Sequence, residues 1–145
     1  MNIVKHLWTF LDYNYYRVAR FYFRREGTNA ATALVHVSLI VSTTFAPIII
    51  FSLIIFFAKF SIPWGTGKGF IKIFAIIYNL LIYFIISRHY RERGIYLILR
   101  DRWYSESKRK RVLKGFGVIL SILVPLLICI IILVNRDNIA AWFEN

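Results

Sequence analysis

Asn79 sits in the middle of AIIYNLLIYF, residues 75–84, inside a long apolar run. Hydrocarbon offers a side-chain amide no partner, so the amide must turn toward protein. It can do one of two things there: contact a substrate or a pore, or hold helices together. Helical spacing sets Lys72, Ala75, Ile76 and Tyr83 around it. On the preceding apolar run Thr32, His36, Thr43 and Pro47 fall on or near one face. Pro47 deprives the Thr43 carbonyl of its usual donor, and the hydroxyls of Ser42, Thr43 and Thr44 lie close by. On the last apolar run Gly117, Ser121, Pro125 and Cys129 recur every four residues, a small-residue spacing that admits a second backbone. Thr43, Pro47, Asn79, Tyr83, Gly117, Ser121 and Pro125 are therefore the expected helix-packing residues.

Other chemistry is poorly served. The apolar runs carry no Asp, Glu or Arg at mid-depth, where proton paths and cation-coupled carriers need an ionisable group. His6, His36, His89 and the single Cys129 are too scattered to read as a metal set, and one cysteine forms no intrachain disulfide. GTGKG, residues 65–69, lacks the GxxxxGK[ST] frame and reads as a tight turn. No catalytic, cofactor-binding or metal residue is expected.

The elements that must position these groups follow from length and composition. The chain has 145 residues, is 59% hydrophobic and has a mean hydropathy of +0.60. Its apolar blocks match the thickness of a bilayer core and leave too little chain for a separate catalytic domain. The expected fold is an all-α membrane protein: an N-terminal amphipathic interfacial helix followed by three transmembrane helices. Residues 1–29 form the surface helix, and 30–58, 70–87 and 115–134 the spans. Residues 59–69 form a short turn, 88–114 a basic loop with a short helix, and 135–145 a tail. The opening MNIVKHLWTFLDYNYYRVARFYFRREG has neither an apolar h-region nor a small-residue cleavage site, so it does not read as a secretory signal.

Charge sets the orientation. The net charge is +12, with fifteen basic residues in 1–26 and 88–114 against four elsewhere. The positive-inside rule then places both segments, and the N-terminus, in the cytoplasm, with the 59–69 turn and the C-terminus outside.

On a helix, Val4, Leu7, Trp8, Leu11, Tyr15, Val18 and Tyr22 form one stripe, which predicts a helix lying flat at the membrane surface or docked on a partner. A break is expected near Gly27, Thr28 and Asn29. In 88–114, GIYLILRDRWY is too short to span. Gly94 reads as a helix breaker, and Ser105 as the cap of a helix running through KRKR, residues 108–111, into span three. Arg17, Arg20, Arg24, Arg25, Arg100, Arg102, Lys108, Arg109, Lys110 and Arg111 are the expected contacts to anionic phospholipid or a partner. The interleaved aromatics suit an interfacial belt better than a nucleic-acid surface.

The layout resembles the small bacterial diacylglycerol kinases, with FRREG, residues 23–27, standing where that family has a basic–acidic–glycine phrase. The resemblance would imply phosphoryl transfer on an E-x-x-N-x-x-x-E pattern in span two. Around Asn79, however, Ile76 and Tyr83 stand where the glutamates belong, so no magnesium-holding carboxylate is present there. YNYYRVARFYFRR and RERGIYLILRDRWYSESKRKR resemble small multi-span membrane proteins of the Bacteroidetes type, which implies a bacterial inner-membrane setting and no activity. Together these features predict a non-enzymatic scaffold or accessory subunit of a membrane complex, working as a homo-oligomer or with another membrane protein. The alternatives are an oligomeric pore-forming or membrane-disrupting effector and, third, a lipid-modifying enzyme.

Overall fold

The computed structural model describes residues 3–62, 64–91 and 95–143. Every regular element is helical: α1 (Ile3–Glu26), a 3-10 turn (Gly27–Asn29), α2 (Ala31–Lys59), α3 (Trp64–Arg91), α4 (Ile95–Trp103), α5 (Lys108–Val134) and α6 (Arg136–Ala141). Among the described residues three stretches are long and apolar enough to cross a membrane: Ala31–Lys59, Gly69–Tyr90 and Lys108–Val134. The protein is thus a multi-pass, all-α membrane protein with an additional N-terminal helix. At 1.5 Å per residue α2 is about 43 Å long, more than a hydrocarbon core requires, so it is long enough to reach past that core.

The chain turns from α1 into α2 where expected. Gly27 takes φ +59°, which glycine adopts without strain, and Ala30 is left-handed at φ 41°. The Glu26 carboxylate accepts hydrogen bonds from the Thr32 amide at 2.8 Å and from the Thr32 hydroxyl. It thereby satisfies a first-turn donor of α2 with a negative charge at the positive end of the helix dipole. These bonds hold the Glu26 pKa below its usual value.

Packing centres on α2. Helices α1, α3, α5 and α6 all lie against it, whereas α3 and α5 are not packed along each other among the described residues. The helical bundle is therefore arranged as a hub, α2, with two flanking spans. Both flanks carry long rows of exposed apolar side chains, such as Ile76, Leu80 and Phe84 on α3 and Leu120, Leu127 and Ile131 on α5. The main core lies at the end where α1 and α4 meet α2 and α3. It contains Leu11, Tyr15, Tyr16, Ala19, Leu34, Val37, Ile86, Tyr90, Tyr96 and Leu99.

Four expectations change. Residues 65–69 are not a tight turn but the opening of α3, and Gly27, not a GTGKG glycine, is the described glycine with positive φ. A Cβ on Gly67 would stand 2.6 Å from Phe57 Cζ, so a glycine there serves close packing on α2. The cap of α5 is Ser107 in extended conformation (φ −64°, ψ 150°), without a side-chain cap bond, and Ser105 lies in the preceding turn. The buried face of α1 is broader than the expected stripe. Leu7 is 52% exposed, while Tyr13, Asn14, Tyr16 and Ala19 are buried, because α1 is covered by the other helices on more than one side. Finally, the 135–145 tail contains α6, which folds back on α2 with Phe51 and Phe143 edge to face at 6.5 Å. The expected break at Gly94 lies outside the described residues.

Candidate functional site at the aromatic end

The chemistry-bearing side chains gather where α1 crosses the ends of the spans. Aromatic rings build the platform. Tyr15 stacks on Tyr90 at 4.3 Å, Trp8 on His89 at 4.2 Å, and Phe23 on Tyr96 at 4.9 Å, while Tyr13 meets Trp103 edge-on at 5.3 Å. Such offset and edge contacts each add about 0.5–1.5 kcal/mol beyond burial, enough together to fix α1 against α3 and α4. The Tyr90 hydroxyl donates to Asp12 Oδ1 at 3.0 Å, joining α1 to the end of α3.

Within this platform lies a charged knot. The Glu106 side chain is only 6% exposed, and Lys114 Nζ reaches its Oε1 at 2.6 Å. The Tyr13 hydroxyl donates to Oε2 at 2.9 Å, and Arg111 Nη2 donates to the Glu106 carbonyl at 3.1 Å. Lys114 Nζ also stands 4.6 Å from the centre of the Tyr13 ring, a cation–π distance. Burial works against the Glu106 carboxylate, but Lys114 and Tyr13 outweigh it, so its pKa lies below the ordinary value. Burial, followed by the neighbouring carboxylate, pushes Tyr13 up to about 12. The carboxylate is thus held ionised and the phenol held as a donor. Beside the knot is a cavity of about 360 Å³ lined by His6, Thr9, Phe10, Tyr13, Trp103, Lys114 and Gly117. Its walls are mostly aromatic and apolar, with a few polar groups at the edge.

The expected basic contacts separate into two sets. Arg24, Arg25, Lys108, Arg109 and Lys110 are exposed. Arg100 pairs with its neighbour Asp101 at 3.2 Å, and Arg102 lies 5.2 Å from the Trp103 ring. Arg17, Arg20 and Arg111 come together from two helices and line one pocket with Phe21, Arg20 exposed and the other two half-buried.

The expected packing residues also divide. Asn79 does bridge to span one, but its partner is Ser42, whose Oγ donates to Asn79 Oδ1 at 2.7 Å. Thr43 turns back to its own helix at Leu39 O and Ile40 O, 2.9 and 3.1 Å away. A threonine hydroxyl satisfied four residues back has nothing left to donate across the interface. Near Pro47, within α2, Tyr78 donates its hydroxyl to Ser42 O at 3.1 Å, a second link between α2 and α3. Tyr83 packs partly buried on the core. On α5, Gly117, Ser121 and Pro125 are half-buried, with Cys129 buried. Ser121 donates to Val118 O at 2.7 Å. A Cβ on Gly117 would meet no atom within 4 Å, so this glycine opens the cavity wall rather than admitting a close backbone.

Sequence reasoning missed Tyr13, Asn14 and Lys114, noted Ser42 only as one of three hydroxyls near Pro47, and did not single out Glu106 as a site residue. Glu106 offered one signal, as an acid beside a run of basic residues. Its partner Tyr13 lies 93 positions away and offered none. Among the described residues no three His, Cys, Asp or Glu side chains are grouped to hold a metal ion. Comparison with family models, curated proteins and solved structures yields no match to this chain.

Proposed function

We propose that the protein is a non-enzymatic membrane scaffold, an accessory subunit that works in a homo-oligomer or beside another membrane protein. The observation that carries this reading is the openness of the spans. Along the spans α3 and α5 each pack on α2 and not along each other among the described residues, and both present long apolar flanks, while polar groups between α2 and α3 are used in their own hydrogen bonds. Spans built this way suit further helix packing, and the ring-stacked end supplies a firm platform at the membrane surface. The concentration of basic residues near that end supports a bacterial inner-membrane setting with the N-terminus in the cytoplasm, where anionic phospholipid is also met.

The test is the mass of the native assembly. Protein extracted in mild detergent and measured by native mass spectrometry is expected to run as a defined stoichiometric complex. A single chain under all conditions would sink the scaffold reading. Induced expression is expected to leave the membrane potential unchanged, and depolarisation would favour a pore instead.

A further inference from the structure

We propose that Arg17, Arg20 and Arg111 form a binding site for the phosphate of an anionic phospholipid, seated between α1 and α5. The proposal rests on the reading of this end of the molecule as the membrane surface, and it names the ligand that end takes. Three guanidinium groups line a pocket of about 390 Å³ with Phe21, and no carboxylate lines it among the described residues. The hydrogen bonds shown for two of them use uncharged oxygens: Arg20 Nη1 donates to the Tyr16 hydroxyl at 3.2 Å, and Arg111 Nη2 donates to the Glu106 carbonyl at 3.1 Å. Glu106 acts on Arg111 through space, but its carboxylate oxygens are taken by Lys114 and Tyr13. Three positive charges therefore share one concavity without an acid of their own in its wall. An oxyanion with several acceptor oxygens is the ligand that relieves their repulsion, and the planar guanidinium fork suits phosphate.

Depth selects a lipid phosphate over a dissolved one. After Arg111 the exposed surface of α5 becomes mostly apolar, with Val112, Leu113 and Phe116 open and Lys114 paired with Glu106. Phe21, 79% exposed, stands in the same pocket wall. A charged site bordered by open apolar side chains at the start of a span lies at headgroup level, where rings and acyl chains meet. The exposed Lys108, Arg109 and Lys110 lie outside this pocket and contribute only general attraction.

The test presents full-length protein in mild detergent with equal amounts of phosphatidylglycerol, phosphatidic acid and phosphatidylcholine, and counts retained lipid by native mass spectrometry. The wild-type chain is expected to retain anionic lipid at least tenfold over phosphatidylcholine. R17Q/R111Q is expected to lose that retention about tenfold, and K108Q/K110Q, which removes the same charge outside the pocket, less than twofold. R17K/R111K keeps the charge without the fork and is expected to fall severalfold. Equal losses in the two glutamine pairs would overturn the site, as would a wild-type chain without anionic preference, a result that needs no variant to fold. Displacement of the lipid by millimolar inorganic phosphate would overturn the lipid assignment. The assembly mass read in the same spectra judges the scaffold reading separately. A lone chain that keeps its anionic lipid defeats that reading and not this one, and an intact complex without lipid does the reverse.

Discussion

Ser42 and Asn79 face each other across the first two spans, Ser42 Oγ donating to Asn79 Oδ1 at 2.7 Å while Asn79 Nδ2 donates to Ala75 O at 2.8 Å. Both ends of the amide are used, one within α3 and one between helices. The interhelical part is the part a mutation removes. Asn79→Leu and Ser42→Ala should each destabilise the α2–α3 contact, and the double variant should cost less than their sum. A coupling of about 0.6–1.7 kcal/mol is expected, because a hydroxyl left alone in a helix returns to its own carbonyl four residues back. Unfolding in mixed micelles reads it. Strict additivity would mean that the pair does not hold these spans together.

The buried knot of Glu106, Lys114 and Tyr13 gives the platform a pH window. The folded-state pKa of Glu106 is below its ordinary value of 4.5, so its contribution is present above that value and fades as pH falls through the folded one. Tyr13 is raised from 10.0 to about 12, so its contribution is full below 10 and fades as pH rises toward 12. The contribution of these groups to thermal stability in detergent should therefore be flat between about pH 4.5 and 10 and decline on either side. Glu106→Gln should flatten the acid limb and Tyr13→Phe should make the alkaline limb shallower. Limbs that keep their wild-type shape in both variants would show that this knot does not set the window.

Asn79 and Glu106 differ in how legible they were. An amide in a run of Ile, Leu and Phe announces itself through its cost in hydrocarbon, and its role in packing followed. Its partner did not, because Ser42, Thr43 and Thr44 are adjacent hydroxyls and only the rotation of α2 decides which faces α3. The spans, the break at Gly27 and the short helix at residues 95–103 came from local composition and hydrophobic length. Glu106, Tyr13 and Lys114 are joined by long-range docking of α1, which no local pattern encodes. The GTGKG opening of α3 was misread because glycine suits both a turn and a close helix contact, and only Phe57 shows which applies.

Asn14 is 0% exposed, and its Nδ2 donates to Phe10 O at 2.8 Å while its Oδ1 is buried with no hydrogen-bond partner among the described residues. A buried acceptor left unpaired costs about 1–3 kcal/mol. Asn14→Leu, close in volume, removes that acceptor and should raise stability by about 1 kcal/mol. Asn14→Asp places a charge in the same enclosure and should lower stability sharply. Thermal midpoints of the two variants check the pair, and a leucine variant less stable than wild type would mean that the amide oxygen is satisfied in solution.

Two glycines at helix positions should respond in opposite directions. At Gly67 a Cβ would press on the tip of the buried Phe57 ring, with Cζ at 2.6 Å and Cε1 at 2.9 Å. The ring must shift within packed surroundings, so Gly67→Ala should destabilise and Gly67→Val more so, by about 1–3 kcal/mol as overpacking does. At Gly117 a Cβ meets nothing within 4 Å, so Gly117→Ala adds a methyl facing the cavity beside Phe10 and Trp103 without a clash. It also removes the entropy that a mid-helix glycine loses on folding and should stabilise by about 0.5–1 kcal/mol. Unfolding midpoints of the two alanine variants, measured side by side, decide the matter. A Gly117→Ala variant as damaged as Gly67→Ala would mean that the cavity is closed in the membrane, with α1 drawn onto α5.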